Sequence, residues 1–422
     1  MRFLFTAFAL LLFCHANFAQ YVPTPGEAQS QPILLQGATA HLGNGQVIEN
    51  AYVAFADGKF TVVQADAAAV NFKTHKIIDV TGKHIYPGFV ALNSQLGLNE
   101  IGAVRATNDY REVGLLNPNI RALIAYNTDS EVIPTVRSNG ILYVQITPQG
   151  GRISGQSSVV NLDAWNYEDA AVRADDGIHL NWPRIINRSR WTGSKKNDKY
   201  DEQIRETEEL FNAAQAYGQR NDGADTNLKL AAMQGLFDGS KKLYLHVNDV
   251  TSMQSGVLFA EKYGITPVIV GGRDSWMITD FLKEHDVAVV LNSTQSLPHY
   301  EDSDIDQPFK TPAALEAAGV TWCFSHGSYW DQKNLPFIAG QAVGFGLDYE
   351  AAVRALTATP AKIVGTDAEA GTLEVGKTAT LIVSEGDAFD MRGNKISRAF
   401  IDGREVNLEN KHKALYRKFG KK

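Results

Sequence analysis

Short apolar runs broken by turn residues dominate the chain from about residue 32 to 86. Ile33-Leu34-Leu35, Val47-Ile48, Tyr52-Val53-Ala54-Phe55, Phe60-Thr61-Val62-Val63 and Ile77-Ile78-Asp79-Val80 have the length and branched or aromatic content of strands, with Asn44-Gly45 and Asp57-Gly58 as turns. The same style returns near the other end, in 379–383, in 396–401 and in the Asp402-Gly403 turn. Between these β-rich ends, apolar runs at 141–146, 243–247, 266–270, 287–291 and 320–324 alternate with helical patterns at 200–217, 252–263, 275–284 and 349–356. Short apolar strands followed by amphipathic helices predict a parallel barrel, because helices cover the outer face of such a sheet. Residues 178–228 are polar and do not divide into strands, so the pattern alone does not reach a count of eight. No internal repeat or low-complexity segment interrupts the plan.

Composition adds limits. At 422 residues and 44% hydrophobic, the chain can bury one large domain beside a smaller one. A net charge of −7 gives no electrostatic reason to expect nucleic acid or an anionic membrane as partner. Arg2, the apolar run from Phe3 to Phe13 and the small residues of Ala16-Asn17-Phe18-Ala19 predict a secretory signal over residues 1–19, too short to span a bilayer. Cys14 would leave with it. Cys323 would then be the one remaining cysteine, so the mature protein is expected to be exported, in a bacterial periplasm, without an intrachain disulfide.

The most informative stretch is Pro87-Gly88-Phe89-Val90-Ala91-Leu92-Asn93-Ser94-Gln95-Leu96, directly after Ile85-Tyr86. It resembles the start of the barrel in the amidohydrolase superfamily, where Pro-Gly-Phe-(Ile/Val)-Asp-x-His-x-His leads into the first strand. The likeness resumes in Ala358-Thr359-Pro360-Ala361-Lys362-Ile363-Val364-Gly365 and in Gly371-Thr372-Leu373-Glu374-Val375-Gly376-Lys377-Thr378-Ala379-Thr380-Leu381-Ile382-Val383. That stretch resembles the segment returning the chain from barrel to sandwich, with Thr380 where the family usually has Asp. Within that superfamily the chain resembles the imidazolonepropionase-like branch. The resemblance implies an α/β fold: a TIM-like (β/α) barrel over residues 87–364 and a composite β-sandwich domain built from residues 32–86 and 368–406.

In that superfamily two first-strand histidines, later-strand histidines and a last-strand aspartate hold zinc or another divalent metal, which activates water against an amide-type C–N bond. Here Asn93 and Gln95 occupy the two histidine positions and Ala91 that of the family's Asp. Neutral amide oxygens are much weaker zinc ligands than imidazole or carboxylate. His246, at the end of Leu243-Tyr244-Leu245, matches a later-strand histidine and is the best single metal candidate. Asp274, in Gly271-Gly272-Arg273-Asp274, is either a ligand turned inward or an exposed cap of the following helix. His326, in Ser325-His326-Gly327, stands at the last-strand aspartate position and is the candidate catalytic base. A Ser325–His326 nucleophile pair is disfavoured, since neighbouring strand residues point to opposite faces. Asn93, Gln95, His246 and His326 are expected to converge at the carboxyl ends of the barrel strands.

The loop Gly150-Gly151-Arg152-Ile153-Ser154-Gly155 follows a strand and is expected on the same face, yet it lacks the Gly-Lys-Ser/Thr of a nucleotide loop, which excludes that mode of ATP binding. Asp163, Trp165 and Glu168 nearby are expected to line the pocket or to pack beside it. His41, His75, His84, His179, His285, His299 and His412 have no paired ligand spacing and read as structural or surface residues. Two functions follow. One is a metal-dependent hydrolase of non-peptide C–N bonds with an altered centre. The other is a catalytically silent homologue that binds a small molecule or pairs with an active homologous amidohydrolase.

Overall fold

The computed structural model describes residues 24–420 apart from 68, 69, 71, 190–192, 220–225, 293, 300 and 301. The expected signal segment, residues 1–19, lies outside the described residues. No described helix is long and apolar enough to cross a membrane.

Strands run in chain order Ile33–His41 (β1), Val47–Ala56 (β2), Lys59–Gln64 (β3), Lys76–Asp79 (β4), His84–Pro87 (β5), Phe89–Ser94 (β6), Ile141–Ile146 (β7), Ile153–Asn161 (β8), Ala171–Asn181 (β9), Ile186–Ser189 (β10), Gly193–Lys196 (β11), Lys242–Val247 (β12), Val268–Gly271 (β13), Ala288–Asn292 (β14), Trp322–Ser325 (β15), Leu381–Ser384 (β16), Ile396–Ile401 (β17) and Arg404–Glu405 (β18). The first five and the last three form one eight-stranded sheet in the order β18-β17-β16-β5-β1-β2-β3, with β4 beside β1. The two β-rich ends of the chain therefore meet across β5 and β16, Ile382 opposite Tyr86.

That sheet is strongly curved. Three strands separate β2 from β17 in the hydrogen-bonded order, which in a flat sheet would hold them roughly 19 Å apart at about 4.8 Å per strand. Yet the rings of Phe55 on β2 and Phe400 on β17 lie 5.0 Å apart, nearly edge to face. Backbone bonds from Phe60 to Lys377 and from Ala379 to Gly58 close the far side. Leu35, Val53, Phe55, Phe60, Ile85, Leu381, Val383 and Phe400 form the core enclosed by this curl.

The remaining long strands close a barrel in the order β12-β13-β14-β15-β6-β7-β8-β9. It departs from the all-parallel expectation: β8 runs antiparallel to both β7 and β9. The reason is connection length. A parallel crossover needs about a dozen residues or more, whereas residues 147–152 permit only a hairpin between β7 and β8. The polar stretch that resisted division holds the end of β9, the β10–β11 ribbon and the long helix Tyr200–Gly218.

Sheet and barrel share one joint. Gly88 alone separates β5 from β6, and its N–H donates to the Thr380 carbonyl. A Cβ there would stand 2.7 Å from Leu142 Cδ1 and 2.9 Å from Thr380 Cγ2, so any larger residue would push these side chains aside. The Thr380 hydroxyl lies 2.9 Å from the Tyr143 hydroxyl, so this departure from the family's aspartate serves the same joint. Phe400→Ala, which empties the centre of the curled sheet, is expected to cost about 3–5 kcal/mol. Chemical denaturation followed by tryptophan fluorescence checks this, with exposed Val375→Ala as the near-neutral control.

Candidate functional site

Alternation along each barrel strand sorts side chains into an outer apolar set and an inner polar one. On β12, Leu245 faces outward: a Cβ added to Gly256 of the helix Val250–Glu261 would meet its Cδ2 at 2.5 Å. Its neighbours Tyr244 and His246 face inward and stand beside His179 and Asn181 of β9.

Deep in the barrel lies Asp176, completely buried. Its carboxylate accepts hydrogen bonds from Tyr244 Oη at 2.6 Å, Gln145 Nε2 at 2.7 Å and Ser157 Oγ at 2.7 Å. Burial pushes its pKa up, while those three donors pull it back. The Tyr244 ring stacks on His179 at 4.6 Å, and burial together with the adjacent Asp176 holds the Tyr244 hydroxyl protonated far above its usual range. His179 Nδ1 and His246 Nε2 share a hydrogen bond of 2.8 Å. Burial lowers the pKa of His246 to about 4; burial and the neighbouring His246 push that of His179 well down. Both rings are therefore neutral near pH 7.

His246 is the end of this column that reaches the mouth. A cavity of about 270 Å³ opens there, walled by Asn93, Asn181, Trp182, Arg184, His246, Asn248, Asp249 and Asn292, with Val247, Val270 and Gly271 between them. These residues come from the carboxyl ends of β6, β9, β12, β13 and β14, where barrel sites are normally built.

Asn93 and His246 thus share one cavity wall. Gln95 does not join Asn93 and His246 on the cavity wall, so the expected convergence is only partial. Asn93 has φ +58, its N–H donates to Gln145 Oε1 at 3.2 Å, and β6 ends at Ser94. That left-handed backbone is open to asparagine and breaks the period-two pattern. Gln95 lies outside the strand and points Nε2 toward the Gly327 carbonyl, 3.5 Å away, rather than lining the cavity. His326 is half-buried beside it: Nδ1 accepts from the Ser328 N–H at 3.2 Å and its carbonyl accepts from Gln332. Burial lowers its pKa, and it too stands off the cavity wall. Asp274 is neither exposed nor capping. It is 3% exposed, makes no side-chain cap, and forms a forked pair with Arg273 at 2.8 Å for each oxygen. Ser325 spends its hydroxyl on the Leu92 carbonyl at 2.8 Å.

Most of the cavity wall escaped the sequence reading, including Asn181, Trp182, Asn248, Asp249 and Asn292, and so did two buried residues behind it, Asp176 and His179. His179 was read as structural or surface, but it is fully buried and bonded to His246; its place in the alternation Ile178-His179-Leu180 was the available signal. Asp176 and Asn292 carried no motif. The Gly150-Gly151 loop does reach the mouth, where the Gly151 carbonyl accepts from Asn181 Nδ2 at 3.1 Å.

These donors do not fit a divalent metal centre. The two histidines are bonded to each other through His179 Nδ1 and His246 Nε2, the first-strand groups are amides, and Asp249 spends one carboxylate oxygen capping a helix through Ser252 N–H at 3.0 Å. Among the described residues no three His, Cys, Asp or Glu side chains gather in a way that could hold a metal ion.

The histidine pair has a pH signature. A folded pKa near 4, below the unfolded value of about 6.5, means the unfolded chain binds the extra proton first. Stability contributed by neutral His246 is complete above pH 6.5 and is lost as pH falls from 6.5 toward 4. His246→Gln is expected to flatten the acid limb of a plot of melting temperature against pH, and the wild-type His246 ring resonance should not titrate between pH 8 and 5.

The sequence pattern described as the Amidohydrolase family matches residues 332–406. No curated protein sequence matches the chain. Among solved structures, an amidohydrolase from Thermotoga maritima MSB8 superposes with a TM-score of 0.76 at 22% identity, over 89% of this chain and 99% of its own. A molinate hydrolase gives a TM-score of 0.56 at 17% identity, over 91% and 95%. A Xaa-Pro dipeptidase solved with methionine in its active site gives 0.54 at 15% identity, over 89% and 100%. At these identities the superpositions speak for the fold, and the family assignment takes its sequence support from residues 332–406. Residues 332–406 thus carry the pattern of the Amidohydrolase family, and the fold is the one shared with these solved structures.

Proposed function

We propose that this protein is a member of a hydrolase superfamily whose barrel mouth binds a small molecule without the metal-dependent hydrolysis of its relatives. One observation carries the reading: the cavity wall holds Asn93 in a left-handed conformation and a neutral histidine whose Nε2 is already bonded to another histidine. Amide oxygens and a self-paired imidazole do not generate a metal-bound hydroxide at neutral pH. The cavity itself is intact, enclosed on several sides by strand ends and just under the usual range for small-molecule sites of about 300–1,000 Å³.

The second reading, hydrolysis of a non-peptide C–N bond, is favoured by the family match and by hydrolases among the structural neighbours. In either reading we divide the chain into a barrel from about residue 87 to 364 and a terminal domain from residues 32–86 and 368–406. The contact of Phe55 with Phe400 supports describing that domain as a composite sandwich.

In both readings His246 is the side chain closest to chemistry. Neutral at physiological pH and fixed by His179, it can accept a hydrogen bond from a bound molecule or donate one, according to its tautomer.

Elemental analysis of untagged protein equilibrated with zinc, beside hydrolysis assays on N-acyl amino acids and cyclic amides with and without chelator, separates the readings. The expected result is substoichiometric metal and no turnover that a chelator removes. Stoichiometric metal with chelator-sensitive hydrolysis would sink the first reading and establish the second.

A further inference from the structure

None of the nine residues of the helix Lys411–Phe419 is buried. Nine residues make about 13 Å of helix, and helices shorter than about 12–15 residues are marginal in water on their own. Its side-chain ties to the body gather near the start. Asn410 Oδ1 accepts from the Lys413 N–H at 2.9 Å, Asn410 Nδ2 donates to Ser138 Oγ at 2.9 Å, and the His412 ring stacks on Trp330 at 5.7 Å. From Ala414 to Gly420 every residue is exposed.

The outer face has a defined chemistry. His412, Leu415, Tyr416 and Phe419 recur at spacings of three and four and so form one stripe along the helix. Leu415 is 42%, Tyr416 78% and Phe419 55% exposed. Cations sit beside its rings: Lys418 Nζ is 5.2 Å from the centre of Phe419, and Lys333 Nζ is 5.2 Å from that of Trp330 at the foot of the stripe.

Charge is segregated to the same place. Residues 411–422 hold six of the chain's 40 Lys and Arg and none of its 47 Asp and Glu, so a segment of +6 belongs to a chain whose remainder is −13. The overall −7 conceals this local cationic surface. Lys418 has no carboxylate partner among the described residues. Lys411 with Glu131 at 3.5 Å, and Arg417 with Glu409, are exposed pairs, which hold little free energy and yield to a competing anion.

Area decides what covers the stripe. At roughly 200 Å² per full side chain, Leu415, Tyr416 and Phe419 offer on the order of 350 Å², well short of the roughly 800 Å² that each partner of a stable protein interface buries. A lipid surface sets no such threshold, because each inserted side chain leaves water independently while lysine stems reach up to the headgroups.

We propose that the helix Lys411–Phe419 lies on an anionic phospholipid surface, with Leu415, Tyr416 and Phe419 entering the boundary between headgroups and acyl chains. The basic side chains around the stripe meet the phosphates. This inference is independent of what the barrel mouth binds.

Cosedimentation of the full chain with vesicles tests it, comparing equal parts phosphatidylglycerol and phosphatidylcholine with phosphatidylcholine alone. Binding to the anionic vesicles is expected to be tighter by about tenfold or more. It should fall as salt rises from about 0.1 M to about 1 M, where the screening length shrinks from about 10 Å to about 3 Å. Leu415→Ser combined with Phe419→Ser is expected to weaken it about tenfold, and Lys418→Glu severalfold. Leu297→Ser, 79% exposed on another segment, should leave it unchanged. Melting temperatures of the variants report whether the fold is kept, as exposed positions should allow, and Lys418→Glu carries the test if the double variant does not fold.

The assignment is overturned if both kinds of vesicle bind alike or neither binds, or if the substituted chains bind as wild type does. It is overturned equally if sedimentation velocity without lipid shows a dimer that the double variant dissociates, since a second copy of the chain would then cover the stripe.

Discussion

A buried carboxylate organises the interior of this barrel. Asp176 makes no ion pair among the described residues and is held by three hydrogen bonds, from Tyr244, Gln145 and Ser157. Isolated in an apolar core such a group would be untenable; three short donors in a low-dielectric interior make it tolerable and make its surroundings rigid. Each donor comes from a different strand, so the carboxylate ties β9 to β7, β8 and β12 at the one place where the barrel abandons parallel order.

The geometry of the mouth follows from that anchor. Gln145 uses its amide nitrogen on Asp176 and its oxygen on the Asn93 N–H, which fixes the left-handed turn at the end of β6. Tyr244, tied to the same carboxylate, presents its ring to His179, and His179 holds His246. Two walls of the cavity therefore descend from one buried group. The neutrality of the histidines has the same origin, since the enclosure that stacks His179 on Tyr244 also disfavours the charged imidazolium.

The terminal sheet fixes the barrel from outside. With Gly88 alone between β5 and β6, the strand that carries Asn93 starts directly from the β5–β16 pair, and Thr380 contributes both a backbone acceptor and a hydroxyl to the junction. The chain returns to this sheet through the segment that matches the family, so what is most recognisable in the sequence lies at the joint and not at the mouth.

That separation explains what could be read in advance. Apolar runs of strand length, Asn-Gly and Asp-Gly turns and the Pro87-Gly88 junction are local features, and they determined the two β-rich ends and most of the barrel strands, because burial period and turn chemistry are written within a few residues. The amides Asn93 and Gln95 at the positions of the family's histidine pair were likewise plain. Distance decided the rest. The hairpin that reverses β8, the curl that brings Phe55 onto Phe400, and the meeting of Asp176, Tyr244, His179 and His246 all join residues far apart in the chain. Asn93 shows the limit most clearly: its identity was legible, but its φ and its unpartnered oxygen depend on Gln145, 52 residues away, and only closure of the barrel brings that partner into reach.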